Sequence, residues 1–131
     1  MSQLNLLVVT PEKTLLECVA NSVIVPLFDG SKGILPGHAP MIGRMGPGVL
    51  KVAQAGQESK YFVEGGFVQV DKNVVSVLTN VAIPLNKLNS SELESQLSVI
   101  KTESPSTAAE KLSHQRRLIQ TKAMLQAANA N

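Results

Sequence analysis

Cysteine, histidine and aromatic residues are scarce in this 131-residue sequence. It contains one cysteine, two histidines, three phenylalanines, one tyrosine and no tryptophan. A single cysteine, Cys18, excludes an internal disulfide and a zinc site built on cysteine pairs. The histidines, His38 and His114, lie in different parts of the chain, so no cluster with metal-ligand spacing is present. The sequence therefore predicts no metal site.

Strong charge and long apolar runs are missing as well. The formal net charge is +2, which is too weak to indicate a nucleic-acid partner by itself. The longest apolar runs are about five residues, whereas a helix that spans a bilayer needs about 20. The first residues, MSQLNLLVVTPEKT, carry no basic leader and no small-residue cleavage site. We expect an intracellular protein without a membrane span, which can still lie against a membrane.

The sequence also lacks the common signatures of enzyme active sites. It has no Walker-type phosphate loop, no Gly-x-Ser-x-Gly and no His-Glu-x-x-His. Gly30, Gly33 and Gly37 lie near one another, but no Lys-Ser or Lys-Thr pair follows them. A dyad of Cys18 and His38 stays open, although nothing in the local sequence supports it. We therefore predict no catalytic and no cofactor-binding residues.

Glycine and proline divide the chain into two parts. Residues 1–84 hold all nine glycines and six of the seven prolines, whereas residues 85–131 hold no glycine and one proline, Pro105. This change in composition predicts a β-rich domain over residues 1–85 and a helical domain over residues 86–131.

Short valine-rich runs separated by turn residues fill the first part. The predicted strands are residues 4–9, 14–19, 22–27, 48–54, 59–65, 66–72 and 73–79, with a turn-rich stretch at 28–40. Residues 67–71 alternate between apolar and polar, which predicts a strand with one face in water. Asp71, Lys72 and Asn73 predict a hairpin turn. The pattern predicts an antiparallel β-sandwich or barrel, and with the helical part an α+β protein.

Two helices are predicted in the second part. Over residues 89–101, Leu93, Leu97 and Ile100 recur at helical spacing, and Ser91 with Glu94 matches a capping box. Pro105 is expected to stop this helix and to start the next one.

The second predicted helix covers residues 108–130, with Thr107 and Glu110 as its capping box. Leu112, Ile119 and Ala123 share one face and are expected to form its packing surface. The tight connection between the two helices predicts an antiparallel helical hairpin.

Four basic residues of the second helix have no acidic residue between them: Lys111, Arg116, Arg117 and Lys122. One interpretation is an ordinary solvated helix face. The other is reversible, salt-sensitive docking on an acidic partner. A short hairpin with few leucines is only marginally stable by itself. We therefore expect a movable element that packs against the sandwich or against another protein.

The stretch GILPGHAP, residues 33–40, predicts a rigid bend. Pro36 and Pro40 restrict φ, and Gly37 can adopt a positive φ. Because no ligand partners accompany His38, we interpret it as a hydrogen-bonding or contact residue of this bend.

The whole chain resembles the epsilon subunit of bacterial F-type ATP synthases. The resemblance rests on GILPGHAPMIGRMGPGVLKV (33–52), YFVEGGFVQVDKNVVSVLTNVAI (61–83) and the helical tail, which occur in the family's order. It implies a β-sandwich of about ten short strands followed by a helical hairpin. It also implies a non-catalytic rotor subunit that binds the gamma subunit and the c-subunit ring. The expected location is peripheral, at the cytoplasmic face of the bacterial inner membrane.

The resemblance assigns roles to three sets of residues. The loop that faces the c ring is Gly30, Ser31 and Lys32. The bend near gamma is Pro36, Gly37, His38, Ala39 and Pro40. The basic residues Lys111, Arg116, Arg117 and Lys122 meet an acidic loop of the beta subunit when the hairpin extends along gamma. The resemblance implies that this transient contact with the alpha/beta hexamer blocks rotation and suppresses ATP hydrolysis.

The ATP-binding motif of several bacterial relatives is not matched. In the stretch that corresponds to their Leu-Asp-x-x-Arg-Ala, residues 88–93, Asn89 replaces the aspartate and Glu92 replaces the arginine. A carboxylate where phosphate needs a guanidinium repels the nucleotide. We therefore expect no useful ATP binding.

Two other functions stay open. One is a small intracellular β-sandwich adaptor that binds an acidic protein through its basic helix, and co-purification with ATP synthase subunits would distinguish it. The other is a nucleic-acid-binding module. The low charge and the small number of aromatic residues, Phe28, Tyr61, Phe62 and Phe67, argue against that function.

Overall fold

The structure, a computed structural model, describes residues 3–129. Residues 1 and 2, at the start of the predicted β domain, and residues 130 and 131, at the end of the predicted helical domain, lie outside this range. The chain divides between Pro84 and Leu85 into two compact units, which we call the sandwich unit and the tail unit. Each is described separately below.

Among the described residues, the sandwich unit contains eight strands. They are β1 (Leu4–Val9), β2 (Thr14–Ala20), β3 (Ser22–Leu27), β4 (Gly30–Ile34), β5 (Met41–Gln54), β6 (Gln57–Asp71), β7 (Val74–Leu78) and β8 (Ala82–Pro84). The tail unit contains a 3₁₀ turn (Leu85–Lys87) and two helices, α1 (Ser90–Thr102) and α2 (Ala108–Asn129). The predicted class, a β-sandwich followed by two helices, is confirmed.

The strands form one sheet in the order β2-β1-β7-β6-β5-β3-β4, and β8 pairs with β6. The pairings are antiparallel except for β1 and β7, which are parallel. Two parallel strands need a long connection between them. Here strands β2 to β6 lie between β1 and β7 in the sequence and provide it. The sheet curls, since β2 contacts β5 although three strands separate them in the order.

The strands are fewer and longer than the expected set of about ten short ones. β5 continues through Gly46, Pro47 and Gly48, and β6 continues through Gly65 and Gly66, where the sequence predicted breaks. Conversely, β4 and β8 lie in segments where no strand was predicted. Two of these glycines allow a neighbouring strand to approach closely, because a Cβ atom on Gly48 or Gly66 would lie 2.7 Å from Pro26 Cβ or 1.9 Å from the Leu78 carbonyl oxygen.

Alternating side chains of several strands build one apolar core. Leu4, Leu6 and Val8 of β1 are buried, as are Val68 and Val70 of β6. Phe67, Gln69 and Asp71 are exposed, which confirms the predicted half-wet strand. The turn between β6 and β7 is also confirmed, because Lys72 and Asn73 both have positive φ, of 50° and 63°. Two consecutive positive φ values are the signature of a type I′ hairpin turn.

The N-cap of helix α1 is not the predicted residue, Ser91, but the residue directly before the helix, Asn89. The side-chain Oδ1 of Asn89 accepts hydrogen bonds from the backbone N–H groups of Ser91 (3.0 Å) and Glu92 (3.3 Å). Asn89 is therefore the N-cap, and the predicted capping box of Ser91 and Glu94 is wrong because Ser91 already lies inside the first turn. Pro105 ends α1 as predicted but does not open α2, which begins at Ala108.

The predicted capping box of α2 is confirmed. The Glu110 N–H donates to Thr107 Oγ1 (3.0 Å), and the Glu110 carboxylate accepts from the Thr107 N–H (3.4 Å). The predicted packing face is wrong, because Leu112 and Ile119 are 60% and 56% exposed. Helix α1 instead lies beside the opposite side of α2, where His114 Nε2 is 2.6 Å from the carbonyl oxygen of Ile100.

The two helices run antiparallel along each other. A shared groove is lined by Ser95 and Gln96 early in α1 and by Met124 late in α2, whereas Ile100 near the end of α1 contacts His114 early in α2. Leu93 and Ile100 are buried on α1, and Thr121 and Ala127 are buried on α2. No helix between residues 3 and 129 is both long enough and apolar enough to cross a bilayer.

Candidate functional site

The predicted c-ring loop forms the start of an edge strand. Leu27 pairs with Gly30, so Phe28 and Asp29 make a two-residue turn between β3 and β4. Gly30, Ser31 and Lys32 are therefore strand residues rather than a loop, and all three are exposed. The sequence predicts a turn-rich stretch over residues 28–40, and the family resemblance implies a loop at residues 30–32, whereas pairing with β3 makes these residues a strand. Since β4 lies at one end of the sheet order, these residues form an accessible edge.

The turn of this hairpin is shaped by an aromatic side chain. Phe28 is 70% exposed, and the guanidinium carbon of Arg44 lies 4.9 Å from the centre of its ring. The Phe28 N–H also donates to the carbonyl oxygen of Arg44 (2.9 Å). Both contacts fix the turn to β5, and a cation over an aromatic face adds modest attraction at an exposed position.

The predicted bend over residues 36–40 is a hydrogen-bonded turn. The His38 N–H donates to the carbonyl oxygen of Leu35 (3.1 Å), and Gly37 has φ of 87°. Proline followed by a glycine with positive φ is typical of a type II turn. His38 Nδ1 lies 2.7 Å from the carbonyl oxygen of Ala39. The bend presents Leu35, which is 62% exposed, beside the half-exposed His38.

An exposed apolar surface lies on four neighbouring strands of the sandwich unit, β1, β7, β6 and β5. Ile42 of β5, Phe67 of β6 and Leu78 of β7 are 75%, 56% and 53% exposed. Phe67 pairs directly with Leu78, and Leu78 pairs with Val9 of β1. We call Ile42, Phe67, Leu78 and Val9 the outer apolar surface.

A groove of about 500 Å³ runs along this surface. Its lining residues are Val9, Thr10, Pro11, Gly66, Phe67, Leu78, Thr79 and Asn80. The local sequence pattern does not predict this surface, because Gln69 and Asp71 make the exposed face of β6 look polar. Phe67 could have indicated the surface, because it is a large apolar residue on the same exposed face of β6 as Gln69 and Asp71. Clustered exposed apolar side chains mark protein contacts more often than single ones do.

The four basic residues of α2 do not all lie together. At about 100° per residue, Lys111 and Lys122 fall on one flank of the exposed pair Leu112 and Ile119, and Arg116 falls on the other flank. No salt bridge within residues 3–129 involves these three cations. We call Lys111, Leu112, Arg116, Ile119 and Lys122 the outer face of α2.

Arg117 is separate from this group. It lies on the side of α2 that meets α1, where its guanidinium forms a salt bridge with the carboxylate of Glu103. Arg117 is therefore already partnered within the tail unit, whereas Lys111, Arg116 and Lys122, which are equally exposed, form no salt bridge among residues 3–129.

The start of α1 lacks the features of a nucleotide site. The Asn89 side chain already occupies the N–H groups of Ser91 and Glu92, which at a helix start would otherwise face an anion. Glu92 adds a carboxylate to the same turn and is exposed.

Cys18 and His38, the dyad that the sequence leaves open, make no direct contact through a hydrogen bond within residues 3–129. Burial raises the pKa of the Cys18 thiol, so less of it is the nucleophilic thiolate at neutral pH. Among residues 3–129, no three His, Cys, Asp or Glu side chains gather where they would hold a metal ion.

Comparisons with known proteins agree on one family. Residues 3–85 match the family described as "ATP synthase, Delta/Epsilon chain, beta-sandwich domain". The ATP synthase epsilon chain of Rhodopirellula baltica is 51% identical over 85 residues, which cover 65% of this chain and 66% of that protein. This aligned segment is thus just under two thirds of that relative. The ATP synthase epsilon chain of Prochlorococcus marinus is 36% identical over 127 residues, covering 97% of this chain and 93% of the relative.

A solved structure shows the same fold. A chain in the cryo-EM structure of the Euglena gracilis mitochondrial ATP synthase, which contains OSCP, F1 and the c-ring, superposes with a TM-score of 0.85 at 24% identity. The match covers 97% of this chain and 82% of that chain. Because the profile match spans most of the sandwich unit and the Prochlorococcus relative aligns over nearly the full length, this chain belongs to the ATP synthase epsilon chain family.

Proposed function

We propose that this chain is a non-catalytic subunit of the central stalk of an F-type ATP synthase. In this role it turns with the c-subunit ring and couples that rotation, through gamma, to the alpha/beta hexamer. It lies peripherally at the cytoplasmic face of the bacterial inner membrane. The observation that carries the proposal is family membership joined to an exposed outer apolar surface on a rigid sheet.

The outer apolar surface and the adjoining bend are the proposed contact with gamma. Phe67 and Leu78 leave more than half of their side-chain surface in contact with water. Burying apolar area against a partner contributes roughly 25 cal/mol per Å² before the costs of association are counted. Leu35 and His38 of the bend extend the contact with one apolar and one polar side chain.

The exposed edge of β4 is the proposed contact with the c ring. Gly30 and Ser31 have little side-chain bulk, so a polar loop of a partner can approach the backbone closely. Lys32 adds one positive charge beside them. As β4 is the last strand in the sheet order, its outer backbone groups are available to such a partner.

The outer face of α2 is the proposed regulatory contact. Three cations around Leu112 and Ile119 suit an acidic segment that also offers apolar side chains, such as an acidic loop of the beta subunit. Docking there would resist rotation and suppress ATP hydrolysis. Arg117 joins this contact only if it first leaves Glu103. The neighbouring cations Lys111, Arg116 and Lys122 are therefore the primary determinants.

Co-purification tests the main proposal. A tagged full-length chain is expressed in its source cells, and the detergent-solubilised membranes are passed over an affinity resin. We expect gamma, the c ring and the alpha and beta subunits to be retained with it. Recovery of a different acidic protein in place of the ATP synthase subunits would instead support the adaptor function.

A charge-neutralised variant tests the regulatory contact. The substitutions Lys111→Gln, Arg116→Gln and Lys122→Gln are combined and compared with the single control Arg117→Gln in the reconstituted complex. If each exposed pair contributes about 0.2–1 kcal/mol, the triple variant should weaken the inhibitory contact by about 0.6–3 kcal/mol, or roughly threefold to a hundredfold, and relieve inhibition of ATP hydrolysis accordingly. If the triple variant hydrolyses ATP at the wild-type rate and with the wild-type dependence on salt, the proposed contact is wrong.

A further inference from the structure

Asn73 connects two exposed segments that are distant in the sequence. Its side-chain Oδ1 accepts a hydrogen bond of 2.7 Å from the backbone N–H of Gly37, which lies 36 residues earlier. Its carbonyl oxygen accepts a second hydrogen bond, of 2.8 Å, from the N–H of Asn5 on β1. The turn between β6 and β7 is thereby tied to the bend over residues 35–40.

The backbone of this turn explains the asparagine only in part. Asn73 has φ of 63°, in the left-handed region that favours glycine and that asparagine tolerates better than most residues. The turn between β5 and β6 has the same two-residue length, and its second residue is Gly56, with φ of 84°. Glycine would fit position 73 with less strain but could not accept the bond from Gly37. The side-chain bond therefore gives asparagine a second role at this position.

The hydrogen bond from Gly37 to Asn73 stabilises the bend in addition to the bond that closes its turn. The bond between the His38 N–H and the Leu35 carbonyl oxygen closes the turn, and the Gly37 N–H takes no part in it. Among the hydrogen bonds of residues 3–129, the bond to Asn73 is the one that links residues 35–40 to a distant segment. Removing it leaves the bend attached to the sheet through β4 and β5 alone.

We infer that Asn73 is a positioning residue that holds the bend in the orientation in which Leu35 and His38 contact the partner. This inference rests on the proposed function, because it assumes that the bend is a contact. Asn73 itself need not touch the partner, since it acts through the Gly37 N–H. An ordered bend loses less conformational freedom on binding, so it binds more tightly than a loose one.

Three variants of the full-length chain separate positioning from folding. Asn73→Gly removes the acceptor and keeps a residue suited to positive φ, so the chain should still fold, with a thermal midpoint lowered by a few degrees through the lost bond and the added freedom of glycine when unfolded. Asn73→Asp keeps an acceptor oxygen at the same position and serves as the conservative rescue. Lys72→Gly changes the neighbouring turn residue, which has φ of 50°, without touching the bond to Gly37.

The first measurement is the order of the bend in solution. Amide hydrogen exchange at Gly37 should accelerate roughly threefold to tenfold in Asn73→Gly, the change expected for loss of one hydrogen bond. Backbone ¹⁵N relaxation should show greater mobility for residues 36–39 and no change in β5 or β6. Asn73→Asp and Lys72→Gly should match the wild type. Unchanged exchange and relaxation in Asn73→Gly would overturn the inference.

The second measurement is binding to the F1 sector of the enzyme stripped of this subunit. We expect the affinity of Asn73→Gly to fall roughly threefold to tenfold, and that of Asn73→Asp to stay near the wild type. A loosened bend with unchanged affinity would overturn the positioning role, although the proposed function would survive. If the wild-type chain does not bind the stripped sector at all, the proposed function itself fails.

Discussion

Arg117 and Glu103 form a salt bridge that joins the end of α1 to α2. One turn earlier in the chain, His114 Nε2 contacts the carbonyl oxygen of Ile100. Both contacts lie close to the connection between the helices. Because the helices bury few large apolar side chains, these polar contacts contribute noticeably to the stability of the tail unit.

The salt bridge should make that stability depend on ionic strength. The two side chains are 50% and 36% exposed, so solvent screens their attraction, and Glu103→Gln should cost only about 0.2–1 kcal/mol. Thermal unfolding followed by helical circular dichroism, at low and high salt, measures the effect. The control Glu94→Gln removes an exposed carboxylate of α1 that forms no salt bridge in the described residues. Equal salt dependence in wild type and Glu103→Gln would contradict this role.

Glu110 should make the tail unit sensitive to acid. Hydrogen bonds from the Ser106 and Thr107 backbone N–H groups, and from the Ser106 hydroxyl, lower the pKa of its carboxyl below the ordinary 4.5. Because the pKa is lower in the folded state than in the unfolded state, the ionised carboxyl stabilises the fold at every pH above the unfolded-state pKa. This contribution is lost as the pH falls from 4.5 through the lower pKa of the folded state.

A pH series measures this contribution. The thermal midpoint of the wild type, followed by the helical circular dichroism signal, should fall on acidification from neutral pH to about pH 3. The midpoint of Glu110→Gln should fall less. Glu94→Gln again serves as the control, because among residues 3–129 the Glu94 carboxylate accepts no bond like those from Ser106 and Thr107 to Glu110. If wild type and Glu110→Gln lose the same stability, the capping box does not control the acid response.

Gly66 should be intolerant of any side chain. A Cβ atom there would lie 1.9 Å from the carbonyl oxygen of Leu78, and the residue has φ of 118°. Gly66→Ala should therefore destabilise the sandwich unit by about 2–3 kcal/mol, measured by urea unfolding. Gly33→Ala is the matched control in β4, since a Cβ there meets nothing within 4 Å. A Gly66→Ala variant as stable as Gly33→Ala would show that the strands separate freely at this point.

The start of α1 should not bind ATP. Asn89 occupies the N–H groups of Ser91 and Glu92, and the Glu92 carboxylate would repel a phosphate. Titration calorimetry of the full-length chain with ATP should therefore give no saturable heat at millimolar nucleotide. Saturable binding would mean that other residues of the tail unit supply the phosphate contacts.

The sequence was sufficient to predict strands whose ends carry strong turn signals. β1 and β3 have the predicted bounds because apolar β-branched runs there stop at Thr10-Pro11 and at the residues after Leu27. It was insufficient for β4, where glycine, serine and lysine do not form an apolar run. Strand pairing with β3 overrides the weak local preference of that segment, and pairing partners cannot be deduced from local pattern.

The helical tail shows a similar limit. The spacing predicted both helices, but not which side of α2 would be covered. Leu112 and Ile119 form one apolar stripe of α2, and Leu118 and Leu125 form another, which is partly buried. Helix α1 lies beside the side that carries His114 and Thr121, which by helical spacing is the side of the second stripe. When a helix has so few large apolar residues, tertiary contacts decide the packing side. Because the packing side of α2 was not predictable, the sequence also did not predict that Arg117 lies apart from Lys111, Arg116 and Lys122.

The outer apolar surface is the centre of the proposed function, and its removal is the most direct test. The double variant Phe67→Ser with Leu78→Ser should keep the thermal stability of the wild type within a few degrees, because both side chains are more than half exposed. Its affinity for the F1 sector stripped of this subunit should fall at least about tenfold. Val99→Ser, at an exposed apolar residue of α1, should bind like the wild type. A double variant that binds the stripped sector as tightly as the wild type would contradict the account.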